Sequence, residues 1–281
     1  MTTDLSHLPP LRDVISQHDL AARKSFGQHF LLDLNLTRRI VREAGDLEGV
    51  HVVEVGPGPG GLTRPLVESD AVTVTAIERD TRFAAALADV VEASGGRFRL
   101  VEADALEVDP VELVPAPRAI IANLPYNVGT PMLFNWLKRI GEYRFLALMF
   151  QKEVVDRIVA RPRSSDYGRL AVMCQWLADC RTMMVLPARA FTPPPKIDSA
   201  VVRIAPRARL ADDPAFRTME TLVAAAFNQR RKMLRSSLRG TLGEPEPLLE
   251  SVGILPTARA EEVEVAGFVE LAKAWERARA T

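Results

Sequence analysis

Four consecutive residues, Asn123-Leu124-Pro125-Tyr126, combine an amide, a carbonyl fixed by a proline turn, and an aromatic ring. That set suits chemistry on the exocyclic amine of a base. The N6 of adenine is a poor nucleophile because its lone pair is conjugated into the ring. Two acceptors, one on each N–H, favour pyramidal geometry and free the lone pair for in-line attack on a sulfonium methyl. The Asn123 side-chain oxygen and the Leu124 carbonyl can supply that pair, with Pro125 fixing the turn. Tyr126 offers a face on which a flipped base can stack. No metal and no covalent nucleophile is required, so catalysis would be positioning and electrostatics. In isolation the tetrapeptide would read as a turn with a half-buried tyrosine; its register behind a glycine loop favours methyl transfer.

That loop is Glu54-Val55-Gly56-Pro57-Gly58-Pro59-Gly60-Gly61. Its glycines permit a tight turn and let a ligand approach the backbone. The spacing satisfies both GxGxxG and GxGxG, so a dinucleotide and S-adenosylmethionine fit alike, while the interleaved prolines and Glu54 favour the latter. Glu78, ending the next strand-like run, can accept from a ribose diol. Asp104, ending the one after, can accept from an adenine amine. Either could be a solvated strand end; together, at successive strand tips, they outline a nucleoside site.

Positioning these residues requires strands that end in line. Val52–Gly56, Val72–Glu78, Phe98–Asp104, Arg118–Asn123 and Phe145–Gln151 are short and β-branched or apolar, as in a parallel sheet covered on both faces. Leu62–Ser69, Arg79–Ser94 and Pro131–Arg139 between them read as helices. The alternation predicts an α/β doubly wound domain with ligands at the carboxyl ends of the strands. Gly168–Ala178 reads as a helix, and Thr182–Leu186 and Ser199–Ile204 as two strands around a proline-rich loop, which suggests an antiparallel edge. Pro214–Phe227, Arg230–Leu238, Pro247–Val252 and Ala260–Arg277 read as helices. The predicted domains are therefore 1–205, with the order of 1–20 left open, and a small all-α domain over 206–281.

The 281 residues carry 36 basic and 36 acidic side chains, yet the balance is uneven. Residues 151–240 sum to +9, whereas 1–50, 51–150 and 241–281 sum to −1, −4 and −4. A basic stretch between acidic ones points to a polyanionic partner. Arg230, Arg231, Lys232, Arg235 and Arg239 have no acid between them; on a helix they would spread over more than one face, as suits a grip on phosphates. Cys174 and Cys180 form no CxxC, and the four histidines all lie within the first 51 residues, so no metal site is expected. The longest strongly apolar run, Phe145–Phe150, is too short to cross a bilayer, and the N-terminus shows no signal-peptide pattern. A cytoplasmic monomer is the expectation.

In these motifs the sequence closely resembles the ribosomal RNA adenine dimethyltransferases of the bacterial small-subunit (16S) type. The resemblance runs through Arg23-Lys24-Ser25-Phe26-Gly27-Gln28-His29-Phe30-Leu31, the glycine loop, Glu78, Asp104 and Asn123–Tyr126. It continues through Gln151–Val154, Tyr167–Leu170, Phe191-Thr192-Pro193-Pro194-Pro195-Lys196-Ile197-Asp198-Ser199 and Phe227–Arg235, covering about residues 21–240. It implies a Rossmann-like S-adenosylmethionine-dependent methyltransferase sheet, mostly parallel with an antiparallel edge, and a C-terminal helical domain that binds RNA. It implies that Gln28, His29, Leu31, Gly56, Gly58, Glu78, Asp104 and Asn123 hold the cofactor. The target adenine would stack between Tyr126 and Phe191, and Lys196, Arg230, Arg231, Lys232 and Arg235 would meet RNA. The implied reaction is dimethylation of two adjacent adenosines near the 3′ end of small-subunit RNA during subunit maturation. His29 departs from the asparagine common at its position, and Glu102-Ala103 from the usual small residues. The large-subunit resistance methyltransferases share the core motifs, but the Phe227–Arg235 and Phe191–Ser199 segments favour the small-subunit type. An NAD(P)-dependent oxidoreductase lacks its catalytic Tyr/Lys or His/Asp set here; a non-catalytic RNA-binding or assembly factor would not need Asn123–Tyr126.

Overall fold

The computed structural model of the protein describes residues 3–22 and 28–280. In chain order its strands are β1 (Phe30–Leu31), β2 (His51–Val55), β3 (Thr73–Glu78), β4 (Phe98–Glu102), β5 (Arg118–Asn123), β6 (Phe145–Gln151), β7 (Ala178–Leu186), β8 (Phe191–Thr192) and β9 (Ser199–Pro206). Seven of them form one sheet in the order β4-β3-β2-β5-β6-β9-β7. The first five in that order are parallel, and β9 is antiparallel to β6, with Leu146 opposite Ile204 and Gln151 opposite Ser199. The mostly parallel sheet with an antiparallel edge therefore forms, and the later of the two added strands is the one that meets β6. β1 and β8 make a separate antiparallel ribbon, pairing Phe30 with Thr192 and Leu31 with Phe191.

The central strands are apolar on both faces because both are covered. Ala119, Ile120 and Ile121 of β5 and Leu146 to Phe150 of β6 are all buried. The helix Arg82–Ala93 covers the sheet with Phe83, Ala86, Leu87 and Val90, spaced three and four apart on one face. Among the helices outside the sequence reading are Leu11–Gln17, Lys152–Ile158 and Leu34–Ala44. The last of these starts where Asp33 accepts from the Asn35 and Leu36 amides, at 2.9 and 3.3 Å. Leu5, Leu11, Val14 and Leu20 are buried, and Arg64 and Arg97 donate to the Pro9 carbonyl and the Thr3 hydroxyl at 2.7 and 3.0 Å.

The chain separates into two compact units, 1–155 with 181–206, and 156–180 with 207–281. The last crossing between them falls after Pro206, and segment 156–180 groups with the helical unit rather than with the sheet. Tyr167 explains it: fully buried, it donates its hydroxyl to the Val263 carbonyl at 3.0 Å and meets the Phe227 ring edge-on at 6.0 Å. Phe227 in turn packs on Phe268, so residues 101 apart in sequence share one aromatic core. The helix predicted over Arg230–Leu238 is a turn followed by a short helix, Leu234–Ser237. The preceding helix stops at Asn228, and the Lys232 amide closes onto the Gln229 carbonyl at 2.8 Å. No helix among the described residues is long and apolar enough to cross a membrane.

Candidate functional site

At the carboxyl ends of β2, β3 and β5 lies a cavity of about 1180 Å³, counted out to its open mouth. It is lined by the glycine loop, by Gln28 to Leu31, by Glu78, Asp80 and Asp104, and by Asn123 to Tyr126. The cofactor residues expected from sequence, Gln28, His29, Leu31, Gly56, Gly58, Glu78, Asp104 and Asn123, are thus brought to one place. Arg23 to Gly27 of the opening motif lie outside the described residues.

The loop leaves β2 in a conformation that favours glycine: Gly58 has φ +54°, and a Cβ there would sit 3.3 Å from the Phe30 ring. Gly61 admits no side chain at all, since its Cβ would stand 2.1 Å from the Leu31 carbonyl oxygen. The β1–β8 ribbon therefore rests directly on the loop backbone, and Leu31 is placed by contact rather than by tethering.

Glu78 ends β3 with its carboxylate turned into the loop. Its Oε1 accepts from the Asp80 amide at 2.8 Å and its Oε2 from the Gly58 amide at 3.4 Å. Burial pushes its pKa up, and these amides hold it down in part. Asp80, which sequence reasoning passed over, also lines the cavity; the Arg82 guanidinium holds its pKa down to about 2. Gln28 donates to Asp80 Oδ2 at 3.2 Å, so its amide braces this carboxylate. The signal was present in Glu78-Arg79-Asp80, where a second acid follows the strand-end one. Asp104 lies two residues beyond β4, accepts from the Leu106 amide at 3.0 Å, and pairs with the mostly exposed Arg79 at 2.9 Å.

Beneath the loop, Glu54 is 1% exposed, and its Oε2 has no hydrogen-bond partner among the described residues. Burial, reinforced by the nearby Glu78 carboxylate, raises its pKa to about 8, while the Thr63 hydroxyl lies close enough to temper the rise. At neutral pH this carboxyl holds its proton.

At the other end of the cavity the Asn123 amide nitrogen donates to the His29 carbonyl at 3.1 Å. That bond fixes the amide's orientation and leaves Oδ1 as the acceptor of a side chain that lines the cavity. The Pro125 carbonyl accepts from the Val128 and Gly129 amides and so starts the helix Gly129–Leu137. The Tyr126 hydroxyl lies 2.7 Å from the buried Ser199 hydroxyl, which anchors the ring's far end to β9. Burial raises the Tyr126 pKa, so the phenol stays neutral.

His29 lies over Tyr126. The two rings stack with centroids 5.6 Å apart and planes 27° apart. Its Nδ1 is 2.8 Å from the Pro193 carbonyl; since a carbonyl can only accept, Nδ1 carries the hydrogen. His29 thus ties together the segments of Asn123, Tyr126 and Pro193. Phe191, expected to be the second wall of a base sandwich, is placed elsewhere. Its side chain is 2% exposed in the hydrophobic core and does not line the cavity, because its strand pairs with β1 and turns the ring inward. The ring that faces Tyr126 in this conformation is His29.

Lys196 is exposed in the loop between β8 and β9, closed by the Ala188 amide on Asp198 at 2.9 Å. In the helical unit, Arg231, Lys232 and Arg235 are exposed. Arg230 is committed within its own unit, pairing with Glu261 at 2.8 Å and donating to the Ser164 carbonyl at 3.2 Å. It braces the turn that displays the other three.

A glycine loop, two strand-end carboxylates and an asparagine locked for accepting can bind an adenosyl group and orient an amine. The model of the family described as ribosomal RNA adenine dimethylase matches residues 20–276. The chain belongs to that family. It is 56% identical over 270 residues to the ribosomal RNA small subunit methyltransferase A of Paramagnetospirillum magneticum, covering 96% of each chain. Among solved structures, this dimethylase is similar to the 23S rRNA methyltransferase ErmE, at 27% identity with a TM-score of 0.66, over 88% of this chain and 99% of that one. A dimethyladenosine transferase from Plasmodium falciparum shares the fold, with a TM-score of 0.75 at 22% identity over 86% and 96% of the two chains. The methyltransferase class and the Rossmann-like sheet of the sequence reading agree with these likenesses.

Proposed function

We propose that this dimethylase transfers methyl groups from S-adenosylmethionine to N6 of two adjacent adenosines near the 3′ end of small-subunit (16S) ribosomal RNA, twice each, during subunit maturation in the cytoplasm. The observation that carries the reading is Asn123, whose amide is locked by the His29 carbonyl so that its oxygen is left to accept from an amine beside Tyr126.

The cavity's own chemistry fits the cofactor. Its walls hold the carboxyl groups of Glu54, Glu78, Asp80 and Asp104, and Oε2 of the first is an orphaned buried oxygen. Such a lining suits a ligand with a ribose diol and positive charge, and suits a phosphate-bearing dinucleotide poorly. Glu78 would hold the ribose, Asp104 the adenine edge, and Gly56, Gly58 and Leu31 the body of the nucleoside. When bound, S-adenosylmethionine supplies a methyl group on positively charged sulfur, which is already a good leaving group.

The chain's residues do the rest by placement. Asn123 Oδ1 and the Leu124 carbonyl accept from the two N–H groups of the adenine amine and turn its lone pair towards the methyl group. Tyr126, anchored through Ser199, presents one stacking wall. His29 yields its place over Tyr126 to the entering base. Lys196 on the sheet unit, and Arg231, Lys232 and Arg235 on the turn braced by Arg230, contact RNA phosphates, so binding weakens steeply with salt.

The test is to incubate the protein with methyl-labelled S-adenosylmethionine and unmethylated small- or large-subunit particles, then identify the labelled nucleosides. Dimethyladenosine confined to small-subunit RNA is the expected result. Label in large-subunit RNA overturns the substrate assignment, and no label in either overturns the enzymatic reading.

A further inference from the structure

Glu54 lies outside the mechanism above, yet its setting is that of a working group. It is the penultimate residue of β2, directly beneath the glycine loop, lines the cavity, and is 1% exposed with Oε2 unpartnered among the described residues. A carboxyl buried this way is costly unless it is neutral or a ligand supplies what the protein omits. The neighbours complete it only in part. From β3 comes the Glu78 carboxylate, a like charge; from the helix Thr63–Glu68 comes the Thr63 hydroxyl, which tempers the rise in the Glu54 pKa but leaves Oε2 unpartnered among the described residues. β5, on the other side, contributes the apolar run Ala119–Ala122.

We infer that Glu54 is a proton-linked counter-charge for the cationic cofactor: it is neutral in the empty cavity and releases its proton to solvent as the cation binds. The inference rests on the S-adenosylmethionine reading and deepens it. The physical cause is reciprocal. A positive charge within about 4–6 Å of a carboxylate stabilises the ionised form by roughly 1–3 pK units, which opposes the burial that had kept it protonated. With an empty-site pKa of about 8, about nine-tenths of the molecules hold this proton at pH 7. Cofactor affinity should then rise by up to about tenfold per pH unit over the roughly 1–3 units below that value and level off above it. The site would discriminate by charge: a ligand of the same shape lacking the cation leaves the proton in place and forgoes this gain.

The test is calorimetric titration of the ligand-free protein with S-adenosylmethionine at pH 7 in buffers of different ionisation enthalpy. The expected result is release of about half a proton or more per site, falling below about a tenth at pH 9.5, where Glu54 is already ionised. In Glu54→Gln, which has the shape of the neutral acid, release at pH 7 should vanish while the fold persists. Binding without proton release in the wild type, or the same release in E54Q, overturns the inference while sparing the cofactor reading. No binding at any pH overturns the cofactor reading itself. If E54Q does not fold, the wild-type comparison of pH 7 with pH 9.5 decides alone.

Discussion

Gly61→Ala places one methyl group at the point where β1 touches the glycine loop. The new Cβ would stand 2.1 Å from the Leu31 carbonyl oxygen and 3.2 Å from its carbon. Ordinary contact between such atoms is about 3.2 Å or more, so loop and ribbon must part by about 1 Å. The ribbon cannot yield freely, because Phe30 and Leu31 are both buried and pair with Thr192 and Phe191. Unseating the Leu31 side chain forfeits about 1.5–3 kcal/mol, and each ribbon hydrogen bond adds about 1 kcal/mol. A local cost of about 2–4 kcal/mol follows, at the wall of the cofactor cavity. Calorimetry with S-adenosylmethionine should show at least a thirtyfold rise in Kd, the equivalent of about 2 kcal/mol. Gly141→Ala is the control: nothing lies within 4 Å of its Cβ, and it should bind as wild type. Wild-type affinity together with an unchanged unfolding midpoint in G61A would refute the claim that the ribbon is seated by contact with the loop.

Phe191→Ala should lower stability by about 3–5 kcal/mol in urea titration, the cost of emptying a core position; an unmoved midpoint with lost methylation would make Phe191 a free stacking ring instead. Tyr126→Phe removes the hydroxyl that meets Ser199 and should cost about 1 kcal/mol while keeping methylation, whereas Tyr126→Ala should abolish methylation. Because the folded-state pKa of Glu54 is about 8 against an ordinary 4.5, its stabilising effect is full below pH 4.5 and is lost as pH rises through 8. The ligand-free protein should therefore lose up to about 1.4 kcal/mol per pH unit between pH 5 and 8, measured by thermal melts, and Glu54→Gln should flatten that slope. The double variant Arg231→Ala, Lys232→Ala should reduce the salt slope of particle binding by about 1–2, while Arg230→Ala should also lower the helical unit's melting temperature.

The parallel strands were legible because burial on both faces leaves an unbroken apolar signature, as in Arg118–Asn123 and Phe145–Gln151, whose observed limits match the sequence reading. The cavity residues were legible for the same reason: they stand at strand ends, where register fixes them. What escaped depends on partners distant in sequence. Segment 156–180 looks like part of the sheet domain until Tyr167 meets Val263 and Phe227. Phe191 looks available for stacking until β8 pairs with β1 and turns the ring inward. Arg230 to Lys232 look helical by propensity, but Arg230's bonds to Glu261 and Ser164 hold the segment in a turn. The Leu11–Gln17 helix gave little notice, since it begins after Pro10 with no side-chain cap.

The β1–β8 pairing also sets an order of events as the chain is made. Phe30 waits for Thr192, which is translated 162 positions later, and only then can the β1–β8 pairing seat Leu31 at that wall of the cavity. At a synthesis rate of about 5–20 residues per second the delay is on the order of ten to thirty seconds. Late in that interval the glycine loop and Asn123 have both been made, but the pairing that seats Leu31 beside them has not formed. The cavity is therefore complete only after residue 192 has been added to the chain.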